Sequence, residues 1–340
     1  MPRANKKKSS ENNAGTSRPT PAPRRRPGSA RVPFIIVSAV VAIVVVLVGI
    51  AYYQQYYAPF QRVVINVDDT KIKMGYFLDR ARISGSGGIG MLQTLTNEIL
   101  IGSGTASLGI TVTPQDVDNQ LRKAAAGSDN VTISDAEFKE WYRQLLNENR
   151  MSDAKYRETV RNQLLSSKLQ SYLNTEIPPS IEHAHVYGIF VGTYEEALAA
   201  KQRVESGDDF SKVAQEISID SGTAEKGGEL DWIPQGALVM GNMDPFSLEV
   251  GKVSDPLAVV QDPNTPPSTY YVIMVTETAV REIQPGYLPE VQSTKFSQWL
   301  VDETGKHKVK WDYNSEIDAW VNWQLTKNSP SGSQSSQSGG

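Results

Sequence analysis

The chain has 340 residues, a formal net charge of −4, no cysteine and 3 histidines. The length exceeds one average domain and suits two with tails. Without cysteine there are no disulfides, no CxxC redox chemistry and no thiolate zinc sites, and His183, His185 and His307 alone leave few candidates for a Ser-His-Asp or His-rich metal site.

Charge is unevenly spread. Residues 1–31 are rich in Lys, Arg, Pro, Ser and Asn, with Glu11 the only acid, so a basic tail precedes an acidic body. Such a segment has almost nothing to bury and is predicted to be disordered. Residues 32–53 then carry no charge and a single Ser. About 20 apolar residues span a bilayer core of roughly 30 Å, so this run is predicted to be one transmembrane helix. Tyr52, Tyr53, Tyr56 and Tyr57 follow it as an interfacial aromatic belt. The alternative, a cleaved signal peptide, calls for a shorter apolar core and a small-residue cleavage site. The basic flank places the N-terminus in the cytoplasm and the body outside, in a single-pass cell-membrane protein. The same flank explains the tail as an orientation signal touching anionic lipid, so no nucleic acid is expected as a partner.

Phe60–Val67 alternates as a strand. Residues 75–108 hold helical patches around Gly-rich breaks, with a loop at 84–88. Three helices follow. The first opens at Thr113 with Pro114 behind it, a residue favoured at the first helical position. The second opens at Ser134 with Glu137 three residues on, the pattern of a reciprocal capping box. The third runs from about Ser152 to Leu173, and Pro178-Pro179 ends it at a domain boundary. Beyond Ile181 the period changes. Residues 183–191 read as a strand, Thr193 with Glu196 caps a helix, and Phe210, Val213, Ala214 and Ile217 mark a second one. A Gly-rich loop and short strands ending at 270–275 complete a compact α+β domain. Two further helical stripes follow Pro285: Val291, Trp299, Leu300, and then Ile317, Trp320, Val321, Leu325. Residues 327–340 are predicted to be a disordered Ser/Gly/Gln tail. No internal repeat, phosphate-binding loop, zinc-protease or calcium-loop motif is present.

The DF pair at 209–210, SID at 218–220, KGGELDW at 226–232, the Gly236 turn, FSL at 246–248 and VGKVSDP at 250–256 form one combination. It resembles the parvulin family of prolyl isomerases over about 180–282. Residues 63–72 and 109–121, with the return helices, resemble more loosely the helical region of the PrsA and SurA foldases. The resemblance implies an α+β protein with a single transmembrane helix, a helical chaperone-like domain at 60–178, a parvulin domain at 180–282 (a small antiparallel sheet with surrounding helices), and C-terminal helices at 286–326 that pack on the helical domain. It implies a membrane-anchored extracytoplasmic peptidyl-prolyl isomerase that binds unfolded or newly exported polypeptides with X-Pro bonds, beside the lipid bilayer. No cofactor and no metal are implied, since the reaction needs neither. Oligomeric state and the kind of outer compartment stay open.

Carried over by position, the family's site gives a mixed result. Parvulins place a His before the apolar triplet of the first strand, where this chain has Gly188 before Ile189-Phe190-Val191. The second family His, on the last strand, is replaced by Tyr271. The acidic loop position is kept as Asp220 and the loop leucine as Leu230. The proline-pocket Met falls on Leu238, and Met240 is the candidate for the space of the pocket Phe, because one residue is missing there. Asp220 and Tyr271 are therefore the candidate catalytic residues, and Gly188, Leu230, Leu238 and Met240 the candidate substrate-binding ones. Strand alternation directs His185 to the face opposite Gly188 unless a bulge intervenes. Tyr271 as a core aromatic and Asp220 as a brace of the loop are the plainer readings of those two residues. With both histidines absent, the alternative function is a weak or inactive parvulin-fold chaperone that only binds client peptides.

Overall fold

The computed structural model describes residues 31–85, 87–127, 132–239, 243–259 and 266–327. The tails at 1–30 and 328–340, and Met240, lie outside the described residues. The chain divides into two compact units, residues 1–59 and 60–340. In the first, α1 (Arg31–Tyr56) is a helix whose side chains from Val37 onward are exposed. Its 20-residue stretch Val37–Tyr56 is long and apolar enough to cross a membrane. The rings of Tyr52, Tyr53, Tyr56 and Tyr57 cluster at its end.

The short helix α2 (Ala58–Gln61) leads to the hairpin β1 (Val63–Val67) and β2 (Thr70–Lys73). Five helices follow: α3 (Met74–Ser84), α4 (Gly88–Ser107), α5 (Pro114–Ala126), α6 (Asp135–Asn149) and α7 (Asp153–Thr175). The second half runs β3 (Ser180–Val191), α8 (Tyr194–Glu205), α9 (Phe210–Ile217), α10 (Ser221–Ala224), β4 (Glu229–Pro234), β5 (Leu257–Ala258), β6 (Tyr270–Glu282), α11 (Leu288–Thr304), β7 (Val309–Trp311) and α12 (Ser315–Lys327). Helix starts follow local chemistry. Thr113 with Asp116, Ser134 with Glu137 and Thr193 with Glu196 each form a reciprocal capping box, in which two orphan backbone N–H groups are satisfied at once.

Two apolar cores hold the helical part. In one, β1, α3 and α4 bury Val64, Ile65, Phe77, Leu78, Leu92 and Leu95 together with Ile317 and Val321 of α12. In the other, Leu121, Phe138, Leu165 and Leu169 of α5, α6 and α7 are joined by Phe296, Trp299 and Leu300 of α11. The chain's late segments therefore complete cores begun by its early ones. The short strand β7, unforeseen in the sequence, does the same by pairing antiparallel with β1 in a sheet of order β2-β1-β7. The Gly-rich break expected at 84–88 falls between α3 and α4, while the later glycines of α4 do not interrupt it. Gly104 is where the Trp299 ring docks: a Cβ there would stand 2.5 Å from the indole.

Between these halves sits a four-stranded antiparallel sheet of order β4-β3-β6-β5. One face carries Ile189, Val191 and Val272 against Ala197, Ala200, Phe210 and Val213 of α8 and α9. The other carries Ala184, Val186, Phe190, Tyr271 and Ile273, against which the segment 230–259 folds. That second face positions the site.

Candidate active site

The loop between α9 and β4 is tied to the end of β3. The Phe190 amide donates to Ser218 Oγ at 3.1 Å, and the Ile219 amide donates to the Phe190 carbonyl at 2.8 Å. These bonds seat Asp220 beside the sheet edge as the N-cap of α10, half-buried, with its Oδ2 accepting from Thr223 Oγ1 at 2.5 Å. The chain then turns through Gly227 and Gly228, both in the left-handed region at φ 71° and 82°. The Gly188 amide donates to the Gly228 carbonyl at 2.7 Å. A Cβ on Gly228 would collide with the Gly188 carbonyl, so this crossing needs glycine. It delivers Leu230 onto the sheet face.

Gly188 lies in the row of β3 between Val186 and Phe190. A Cβ on it would meet Phe190 Cε2 at 2.9 Å and Leu230 Cδ1 at 3.0 Å. The room an imidazole would need is filled by these two apolar side chains. Across the sheet, Tyr271 pairs with Phe190, is fully buried and stacks on its ring at a centroid distance of 5.6 Å. Its hydroxyl donates to the Val239 carbonyl at 3.4 Å, and burial pushes the phenol up to about 12. Tyr271 therefore stays neutral at any physiological pH and fixes the segment that carries Leu238. Gly188, Leu230 and Tyr271 meet in one cluster, while Asp220 stands at its rim through the Phe190 contacts.

Leu238 is 39% exposed between the buried Ala237 and Val239. Its amide donates to Glu290 Oε1 of α11 at 2.8 Å. Met243, which pairs with Val239 in a β-bridge, packs on the cluster together with Phe246 and Leu248. Position counting from the family pattern passed over Met243, and only the one-residue deficit in the loop hinted that the wall had shifted. His185 faces the other side of the sheet, where it contacts Tyr187, stacks on Trp232 and lies 2.8 Å from Glu229 Oε1. A bulge at this point falls on β6, at Thr276, and leaves the alternation of β3 intact. His183 is buried, with Nδ1 2.9 Å from the Ile181 carbonyl.

The arrangement offers no activated nucleophile. It offers the half-buried Leu230 and Met243, backed by the buried Phe190, with a carboxylate at the rim, which suits holding an apolar ring beside an amide. Among the described residues no group of three His, Cys, Asp or Glu side chains stands close enough to hold a metal.

Two parts of the chain are similar to known protein families. Residues 194–279 match the PPIC-type PPIase domain and residues 89–170 match the SurA-like N-terminal domain. The foldase protein PrsA of Oceanobacillus iheyensis is 30% identical over 137 residues, 39% of this chain and 43% of that one. The foldase protein PrsA of Enterococcus faecalis is 29% identical over 154 residues, 44% of each chain. The chain thus spans less than half the length of these two relatives. The crystal structure of a peptidylprolyl isomerase (PrsA) from Bacillus cereus aligns with a TM-score of 0.34 at 18% identity, over 79% of this chain and 92% of that one.

Proposed function

We infer, from a chain that joins a SurA-like N-terminal domain to a PPIC-type PPIase domain, a foldase that binds unfolded polypeptides and catalyses cis–trans isomerisation of their X-Pro bonds. Rotation about such a bond is opposed by roughly 20 kcal/mol, from the double-bond character of the amide. No covalent step is required. The catalyst binds the proline ring and favours the twisted amide over the planar one, and each ~1.4 kcal/mol of that preference gives about tenfold in rate. The observation that carries the reading is the Gly188–Gly228 crossing, which seats Leu230 on the sheet face beside Phe190 and Tyr271 with Asp220 at the rim. Leu230 and Leu238 line the proline site in this reading, with Gly188 covered by Phe190 and Leu230. Asp220 is the polar contributor, and Tyr271 supplies a neutral hydroxyl that holds the wall.

The second reading is a chaperone that binds clients without catalysis. It is favoured by the filling of the Gly188 position with Phe190 and Leu230, which leaves no imidazole beneath the substrate amide. Refolding of a proline-limited client separates the two. The isomerase accelerates the slow phase at substoichiometric amounts. A pure chaperone suppresses aggregation and leaves that phase at its spontaneous rate.

The domain arrangement belongs to the same proposal. Residues 60–178 and 286–326 form one helical client-binding unit, and the parvulin unit at 180–282 is inserted between them. This is supported by α11 and α12 completing the cores of the early helices. The helix at 32–53 anchors the chain in the bilayer, with the basic tail inside and the body outside, as the excess of Lys and Arg before Val32 favours.

A further inference from the structure

The loop that carries Leu238 is not held by the PPIase domain alone. Within that domain, Gln235 donates its amide to the Glu182 carbonyl at 2.8 Å, and Val239 exchanges backbone bonds with Met243. Between these two anchors the Ala237 amide donates to the Pro234 carbonyl at 3.0 Å and Ala237 is buried in the domain's core, and Gly236 and Leu238 on either side of it take further support from α11. Thr294 Oγ1 donates to the Gly236 carbonyl at 2.6 Å, and the Leu238 amide donates to Glu290 Oε1 at 2.8 Å. Gly236, at φ 93°, lets the loop approach the helix so closely that a Cβ there would lie 3.5 Å from Thr294 Cγ2 and 4.0 Å from Val291 Cα. Glu290 and Thr294 are four residues apart and share one helix face. Glu290 sits in the first turn of α11, where a carboxylate is favoured by the helix dipole. The opposite face is committed elsewhere: Glu303, about 180° around from Thr294 at about 100° per residue, and Trp299 both close on Gly104 of α4.

We propose that Glu290 and Thr294 are positioning residues for the proline-binding loop, so that the helix docked on the client-binding unit also sets the wall of the isomerase site. The inference rests on the reading of Leu238 as part of the proline site. A carboxylate-to-amide bond and a hydroxyl-to-carbonyl bond fix Leu238 and Gly236 to α11. The backbone of the loop is then ordered before substrate arrives, and substrate binding does not bear the cost of ordering it.

The test uses the full chain and four variants, Glu290→Ala, Glu290→Gln, Thr294→Val and Thr294→Ser, with Lys295→Ala as a neighbour control. Three quantities are read: kcat and KM for isomerisation of a fluorescent Ala-Pro-Phe peptide, the Kd of that peptide, and hydrogen exchange of residues 235–239 by mass spectrometry. Glu290→Ala and Thr294→Val should each raise KM and Kd about fivefold with kcat within about twofold, a charged hydrogen bond being worth more than a neutral one but shared here with solvent. Exchange at 235–239 should accelerate. Glu290→Gln and Thr294→Ser keep an acceptor and a donor and should recover most of the loss, and Lys295→Ala should match the wild type. If the wild type shows no catalysis while the variants still weaken peptide binding and loosen 235–239, the isomerase reading fails and the positioning role stands. If the wild type catalyses and the variants leave KM, Kd and loop exchange unchanged, the positioning role is overturned. It is equally overturned if exchange rises across the whole protein, or if Gln fails as badly as Ala.

Discussion

At the residue scale the proposed site turns on Gly188 and Tyr271, the positions that the resemblance assigns to two histidines. Gly188 is not an empty place awaiting an imidazole, because Phe190 and Leu230 already occupy it at 2.9 and 3.0 Å from where a Cβ would start. Overpacking a filled core typically costs about 1–3 kcal/mol, and an imidazole adds a buried polar group to that cost. Gly188→His should therefore lower the melting temperature and leave isomerisation no faster than in the wild type. A stable and more active variant would show that Leu230 gives way readily. Asp220 behaves differently, since it stands at the rim, where its carboxylate accepts from the Thr223 hydroxyl and its carbonyl from the Thr223 and Ala224 amides. Asp220→Ala should lower the catalysed rate while leaving client binding nearly unchanged, measured by isomerisation and aggregation suppression on the same preparation. Equal loss of both would make Asp220 a brace of the loop. The loop pieces that resemble the parvulin pattern made Asp220 and Leu230 legible in the sequence as positions, and the apolar triplet of β3 did so for Gly188. The filling of Gly188 was not legible, because it depends on Phe190 adopting a rotamer toward its own strand neighbour and on Leu230, 42 positions away.

At the element scale, α11 is the part whose role emerges only in three dimensions. Its sequence shows an apolar stripe, but Gly104, the residue that receives Trp299, lies in a helix far upstream. The glycines of α4 read as helix breaks for the same reason: locally they weaken a helix, and only the indole explains why one is needed. Gly104→Ala sets two effects against each other. Helix propensity favours Ala by about 1 kcal/mol, whereas a Cβ 2.5 Å from the indole forces α11 away from α4. The clash should win, lowering stability by about 1–3 kcal/mol in chemical unfolding; an increase in stability would mean Trp299 is not seated there. Capping boxes, by contrast, are written within four residues, which is why Ser134 and Thr193 could be identified as helix starts. The strand β7 has three residues and too little alternation to stand out, and it forms because β1 offers a free edge.

The end of α11 adds a pH-dependent tie. His307 Nδ1 lies 2.7 Å from Asp68 Oδ2, its Nε2 lies 3.3 Å from Glu303 Oε1, and the Lys308 amide donates to Asp68. The Asp68 carboxylate, then Glu303, raise His307 above its ordinary 6.5 against the opposing effect of burial. The His307 hydrogen bond, then the Lys308 amide, hold Asp68 below its ordinary 3.8. For a raised histidine the stabilisation is complete below the unfolded value and is lost as pH rises through the folded one. For a lowered carboxylate it is complete above the unfolded value and is lost as pH falls through the folded one. Glu303, part of the same tie, is also held below its ordinary 4.5, so the tie is strongest between pH 4.5 and 6.5. Unfolding midpoints followed from pH 6 upward should show the wild type losing stability that His307→Gln does not lose. Parallel curves would remove the tie from the account.

On the scale of the whole molecule, two units follow from two kinds of sequence. The uncharged run after a basic tail makes a helix with exposed apolar sides, and the mixed remainder makes a body with its own cores. The first kind is legible because a bilayer demands an unbroken run of apolar residues. The closing of the body by β7, α11 and α12 is less so, since it joins segments separated by the entire PPIase domain. Protease added to spheroplasts should digest the body and spare the tail; a protected body would reverse the proposed topology.

We propose that a parvulin-type site with Gly188 and Tyr271 at the two histidine positions still turns X-Pro bonds. The direct measurement is exchange NMR of a proline tetrapeptide with catalytic amounts of the purified body, wild type beside Asp220→Ala. Isomerisation above the spontaneous rate is expected for the wild type, and less for the variant. A wild-type rate equal to the spontaneous one, from a body that still prevents client aggregation, would contradict it and leave a chaperone built on a parvulin fold.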